Sequence, residues 1–291
     1  MRNQKIIISC DTTIALSKEE IAKEGLYVIP LNAIADGVEY HDTVDIDAEK
    51  LCELMRNGAK ISTSTPTIIE IENYFDDLFA KTNADVVIHF TISSKLSSMF
   101  SLFTTVCKEK YGDKVIVVDS LSICCWIKRQ VFYARDLVNR GLEPAQIVQK
   151  VKEDLCCSED CVFVPESIEY LKRGGRISAA TATFANLVKV VPILTFNNGE
   201  VGKKGVTRTM QKAIINAIQE WNEKIEYFND KYEYVVLSSD SLCQERVDKI
   251  VSLIKELDPH ATYSVNRLSL NVTAHTGPGT SGLGIIKKMP E

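Results

Sequence analysis

Long hydrophobic runs are missing from this chain. Its first apolar stretch, Ile6-Ile7-Ile8, soon turns polar, and no window approaches the roughly 20 apolar residues of a membrane span. Neither a secretory leader nor an integral membrane segment is expected. Positive charge is not in surplus either. The 34 Lys and Arg face 39 Asp and Glu, a formal net charge of -5, which argues against the concentrated basic face that nucleic-acid binding requires. Also lacking are a G-x-x-x-x-G-K-[ST] phosphate loop, a dinucleotide fingerprint, a G-x-S-x-G elbow and a Cys/His set at zinc-site spacing. No metal or cofactor is called for, and no catalytic residue stands out.

What is present is ordinary globular material, 291 residues with 45% apolar and 25% charged side chains. That length exceeds what one core usually organises, so two domains are expected. Nine cysteines without a leader point to a reducing compartment, the cytoplasm, with thiols left free. The tightest group, Cys156, Cys157 and Cys161, is read as small buried hydrophobes.

From Lys5 to about Ser120 short β-branched runs alternate with helical periods, the mark of βαβ units on a parallel sheet. Strands are expected at Ile6 to Ser9, Val86 to Phe90 and Val115 to Val118. One helix carries Ile71, Phe75 and Leu78 on its apolar stripe and begins at Thr65-Pro66; a second carries Met99, Phe103 and Val106 with Ser93 or Ser94 as cap. Further helices run from about Ile123 to Arg140 and from Pro144. The rhythm changes near Asp160, which divides the chain into residues 1–160 and 161–291. In the second part strands near Val162, Val190, Tyr234 and Leu268, helices near Thr209 to Ile225 and Gln244 to Leu257, and the turn signal Asn197-Asn198-Gly199 predict a mixed or antiparallel sheet.

Four loops could carry chemistry. Ser62-Thr63-Ser64-Thr65-Pro66 and Ser93-Ser94-Lys95-Leu96-Ser97-Ser98 set hydroxyls ahead of helices, where N–H groups suit a carboxylate or phosphate oxygen; simple capping explains them as well. Lys172-Arg173-Gly174-Gly175-Arg176 puts paired glycines among three cations, an anion-facing or partner-facing loop. His275-Thr276-Gly277-Pro278-Gly279 reads as a buried turn that brings His275 toward the first domain. His89, inside an apolar strand, is a core histidine, and Asp11 after the first strand is a sheet-end cap.

In this order, strand-Asp11-Thr12, Thr63-Ser64-x-Pro66, Ile92-Ser93-Ser94-x-Leu96-Ser97, Gly174-Gly175-Arg176-Ile177 and His275-Thr276-Gly277-Pro278-Gly279 resemble the DegV family over nearly the whole chain. The resemblance implies an N-terminal three-layer α/β/α domain with a parallel sheet, a C-terminal two-layer α/β domain, and a long-chain fatty acid in a tunnel between them. It implies a carrier without chemistry of its own, which presents the acyl carboxylate to the ATP-binding subunit of a fatty acid kinase. Thr63, Ser64 and Ser94 would hold the carboxylate, Arg208 and His275 would lie near it, and Arg173 with Arg176 would face the kinase. Ser98-Met99-Phe100 departs from the family's usual Gly-Thr-Tyr and bears on acyl preference. The alternative is a stand-alone small-molecule phosphotransferase or hydrolase using Asp11 or His275 in the inter-domain cleft; a lipid sensor with another partner is a third reading.

Overall fold

Val86 to Thr91 is buried at every position, as a strand covered on both faces must be. A computed structural model describing residues 4–158, 160–175 and 191–290 places it inside a parallel sheet. In chain order the strands are β1 (Ile6–Asp11), β2 (Tyr27–Ile29), β3 (Asn32–Ala35), β4 (Val38–His41), β5 (Ile61–Ser64), β6 (Val86–Thr91), β7 (Val115–Asp119), β8 (Asp160–Val164), β9 (Val191–Asn197), β10 (Glu200–Thr207), β11 (Tyr232–Ser238), β12 (Tyr263–Arg267) and β13 (Ser281–Lys287). The helices are α1 (Lys18–Glu24), α2 (Ala48–Arg56), α3 (Ile68–Thr82), α4 (Met99–Tyr111), α5 (Cys124–Asn139), α6 (Pro144–Leu155), α7 (Glu169–Gly174), α8 (Met210–Lys224), α9 (Phe228–Lys231), α10 (Gln244–Leu257) and α11 (Leu270–Thr276).

Strands β2-β1-β6-β7 form the parallel sheet. On one side Ile71, Phe75 and Leu78 of α3 and Phe103 and Val106 of α4 pack; on the other, Ile127, Val131 and Leu137 of α5 and Ile147 and Val151 of α6. This is the expected three-layer arrangement. The second sheet runs β10-β9-β8-β13-β11-β12, antiparallel except between β11 and β12, and α8 and α10 cover one face. It is the expected two-layer, mixed assembly. Asn198 and Gly199, with φ of 48° and 82°, make the tight turn between β9 and β10 that their sequence signals.

The other face of the second sheet turns toward the first. Cys161, Phe163, Leu194, Phe196, Val235 and Leu237 join one apolar cluster with Phe75, Met99, Phe103 and Trp126, so this core crosses from one sheet's layers to the other's. Two polar links reinforce the junction. Ser93 donates to the Gly199 carbonyl at 2.6 Å, and Arg56 on α2 reaches the buried Asp240 carboxylate at 2.7 Å.

Three local expectations are corrected. Helix α3 is capped by Thr67, not Thr65: the Thr67 hydroxyl accepts from the Glu70 N–H while the Glu70 carboxylate accepts from the Thr67 N–H. Residues 61–64 instead form β5, which with β3 and β4 makes a third, antiparallel sheet packed on α2 and α11. Helix α4 begins only at Met99, past Ser93 and Ser94, and Ser98 at its start makes no side-chain cap; the Ser93 hydroxyl donates to the Gly199 carbonyl and the Ser94 N–H to Asp119. The glycine-rich C-terminal segment is a buried turn only at residues 277–280; Ser281 to Lys287 is a strand between β8 and β11, and His275 lies in the last turn of α11.

Candidate functional site

β5 and α11 bring together residues far apart in the chain. Register with β3, Thr63 opposite Ala33 and Ser64 opposite Asn32, fixes β5. Helix α11 is opened by Ser269, whose hydroxyl accepts from the Val272 N–H. The result is a 2.9 Å hydrogen bond between Thr63 Oγ1 and His275 Nε2, its direction set by the imidazole tautomer.

The two glycine motifs seat that histidine. A β-carbon on Gly174 would stand 2.2 Å from His275 Nδ1, and one on Gly277 would stand 2.3 Å from the Tyr170 ring. Glycine is thus required where α7 lies against α11. Arg173 on α7 is exposed, its guanidinium 5.4 Å from the Tyr170 ring centre.

Thr63, Ser64, Thr65 and His275 stand on the wall of a cavity of 370 Å³, within the ~300–1,000 Å³ of small-ligand sites. Asn271, Thr276, Thr280 and Ser281 add polar groups, as do Ser97 and Ser98 ahead of α4. Leu31, Met99, Phe163, Leu171, Leu237 and Leu268 are among the apolar lining residues, with Cys161, Trp126 and Phe196 beside them. Among the described residues, no Asp, Glu, Lys or Arg lines it.

Strand register orders this wall. Ser281 pairs with Val164, Gly282 with Phe163 and Gly284 with Cys161, while a β-carbon on Gly284 would touch Trp126. Along β13 the lining passes from hydroxyls to aromatic and aliphatic groups over ~10 Å at ~3.4 Å per residue. Trp126 is held by its indole N–H, which donates to the Ile285 carbonyl at 2.8 Å, and its ring lies 5.9 Å from that of Phe196. Burial, with the Asp160 charge adding, pushes the Cys161 thiol well above its usual range, so it stands in the wall as neutral S–H.

Of the residues expected at the site, Thr63, Ser64 and His275 share this wall. Ser94 is exposed and Arg208 sits exposed between β10 and α8, and neither is among the lining residues. Ser97 and Ser98, of the same loop as Ser94, do line the cavity. Arg176 lies outside the described residues. Sequence reasoning missed Asn271, which it left unassigned, and Thr276, which it took for part of a turn; Ser269 followed by a seven-residue stretch closed by Gly277 is the helix signal that reveals them.

Asp11 and His89 behave as structural groups. Asp11 is fully buried, one oxygen accepting from the Thr13 N–H and hydroxyl and the other from the Ile92 N–H at 2.9 Å. His89 bonds the Ser9 hydroxyl at 2.8 Å and stacks on Phe103, and burial pushes its pKa down to about 3. Of the described residues, no helix is long and apolar enough to cross a membrane.

Comparison with known proteins agrees with this architecture. A family model described as an uncharacterised protein of the DegV family matches residues 5–288. A DegV domain-containing protein of Staphylococcus aureus (strain MRSA252) is 30% identical over 285 residues, 98% of this chain and 99% of that one. A solved DegV family protein of Thermus thermophilus, described as fatty-acid-binding, is 26% identical with a TM-score of 0.82, covering 98% of this chain and 100% of its own. DegV of Bacillus subtilis, described as a fatty acid binding protein, is 24% identical with a TM-score of 0.82 over 98% and 100% of the two chains. With sequence and fold matched from end to end, the chain belongs to the DegV family.

Proposed function

We propose that this protein binds one long-chain fatty acid in the cavity, its carboxylate at Thr63, Ser64 and His275, and presents it in the cytoplasm to a separate ATP-dependent kinase that forms the acyl phosphate. The observation carrying this reading is the polarity of the wall: hydroxyls and an imidazole where β5 meets α11, apolar groups onward to Trp126, and no fixed charge among the described lining residues. Such a surface suits a long apolar tail with one polar end. Burial contributes ~0.8 kcal/mol per methylene, so about fourteen methylenes supply ~11 kcal/mol before the cost of immobilising the ligand. The tail then governs affinity and the hydroxyls set orientation. That the Thermus thermophilus and Bacillus subtilis relatives are described as binding fatty acids supports the same class of ligand.

A carrier role fits the titratable groups as well. Asp11, one of the two groups on which an independent phosphotransferase could rely, is hidden and held by three donors. Arg173 stands exposed on α7, whose Gly174 abuts His275, and is assigned to the kinase-facing surface. Native mass spectrometry of the purified protein, followed by organic extraction, is expected to find one fatty acid per chain. Arg173→Ala is expected to keep that lipid while slowing its phosphorylation by the kinase. A lipid-free protein that turns over ATP or an acyl ester unaided would overturn the proposal.

A further inference from the structure

Cys156 and Cys157 end α6 and open the connection to β8, where the chain passes from the layers of the first sheet to the second. Their Sγ atoms are 3.6 Å apart. Cys157 is exposed and Cys156 half-buried, whereas the other seven cysteines, Cys161 included, are buried. The reading of this group as buried hydrophobes therefore holds for Cys161 and fails for its two neighbours. In an extended chain consecutive side chains point to opposite sides. Here Cys157 has a left-handed φ of 57°, which interrupts that alternation.

Two sulfurs at this separation suit one kind of occupant better than another. A disulfide needs ~2.05 Å between sulfurs and Cα atoms ~4.4–6.8 Å apart, but Cα atoms of consecutive residues joined by a trans peptide lie ~3.8 Å apart. By contrast, a soft centre bonded to both sulfurs at ~2.3 Å with a near-tetrahedral angle spans about 3.8 Å, close to the separation already present. Thiolate pairs favour soft centres over hard cations. Among the described residues, no His, Cys, Asp or Glu completes a three-ligand metal group with them. The occupant must accept two protein sulfurs and bring its remaining substituent itself.

We propose that Cys156 and Cys157 form a bidentate binding site for monosubstituted trivalent arsenicals and thiophilic centres of that kind. In the arsenical case both S–H bonds break, two As–S bonds form, the As=O bond breaks, and its oxygen leaves with both protons as one water; no oxidation state changes. The site is independent of the lipid cavity.

The test is intact-mass spectrometry of the native full-length protein after one equivalent of phenylarsine oxide. Wild type and Cys161→Ser are expected to carry one phenylarsenic adduct that a 1,2-dithiol removes and a monothiol does not. Cys157→Ser and Cys156→Ala are expected to lose it, with unchanged near-ultraviolet circular dichroism showing that both variants fold. Retention of the adduct in folded Cys157→Ser would overturn the proposal. So would a native wild-type protein that takes none while its denatured form does.

Discussion

Thr63 contributes one hydroxyl to the cavity, and that hydroxyl already bonds His275 at 2.9 Å. Replacing it with valine keeps the shape and removes the polar atom. A single hydrogen bond is worth ~0.5–1.5 kcal/mol net, so Thr63→Val is expected to weaken fatty acid binding by about 2- to 12-fold in a displacement titration. Ser94→Ala, outside the wall, is expected to leave affinity unchanged; equal losses in both variants would disprove the site assignment. Asp42 offers a second test at this scale. Burial pushes its carboxyl up to about 7, opposed by the Thr12 hydroxyl and Thr43 N–H, with the Asp11 and Asp47 charges adding to the rise. The folded chain then retains a proton that the unfolded chain releases near pH 4. This group's contribution is therefore full at low pH and is lost as pH climbs toward 7. Asp42→Asn, which cannot ionise, is expected to gain thermal stability relative to wild type between pH 4 and 7; a difference that stays flat over that window would refute the assignment.

Elements with a strong local signature are legible in the sequence. The β-branched runs of β1, β6 and β7, the proline opening α6 and the apolar stripes of α8 and α10 need no distant partner to be recognised. Strand β13 is the counterexample. Its glycines answer to neighbours far away in the chain: a β-carbon on Gly282 would lie 2.6 Å from the Val162 carbonyl, and one on Gly284 would lie 2.7 Å from the Trp126 ring. Local propensity reads such a segment as a turn, while close backbone approach makes it a strand. Gly282→Ala is expected to cost about 1–3 kcal/mol in urea denaturation through overpacking. Gly205→Ala on β10, where no atom lies within 4 Å of the added carbon, is the matched control and is expected to change stability little. The candidate site divides in the same way. Its hydroxyls and His275 are visible as motifs, and a turn that brings His275 toward the first domain is legible, but its meeting with Thr63 in particular, across 212 positions, follows from three-dimensional packing and is implied only by the family resemblance. Which hydroxyl of a serine-rich loop faces inward likewise depends on where that loop is anchored, and here Ser97 and Ser98, not Ser94, line the cavity.

At the scale of the whole molecule, the two sheets share one apolar cluster, tied further by Ser93 to Gly199 and Arg56 to Asp240. The 370 Å³ cavity lies inside that shared cluster, since Leu31, Met99, Trp126, Phe163, Phe196 and Leu237 belong to both. An acyl chain would thus complete the interior that joins the two sheets. The volume lost when a protein unfolds scales with the internal space it eliminates, so hydrostatic pressure reads directly on this feature. Protein stripped of lipid is expected to unfold at lower pressure than the same protein loaded with a fatty acid, and with a larger decrease in volume. The fluorescence of Trp126, set in the cavity wall, is placed to report both transitions.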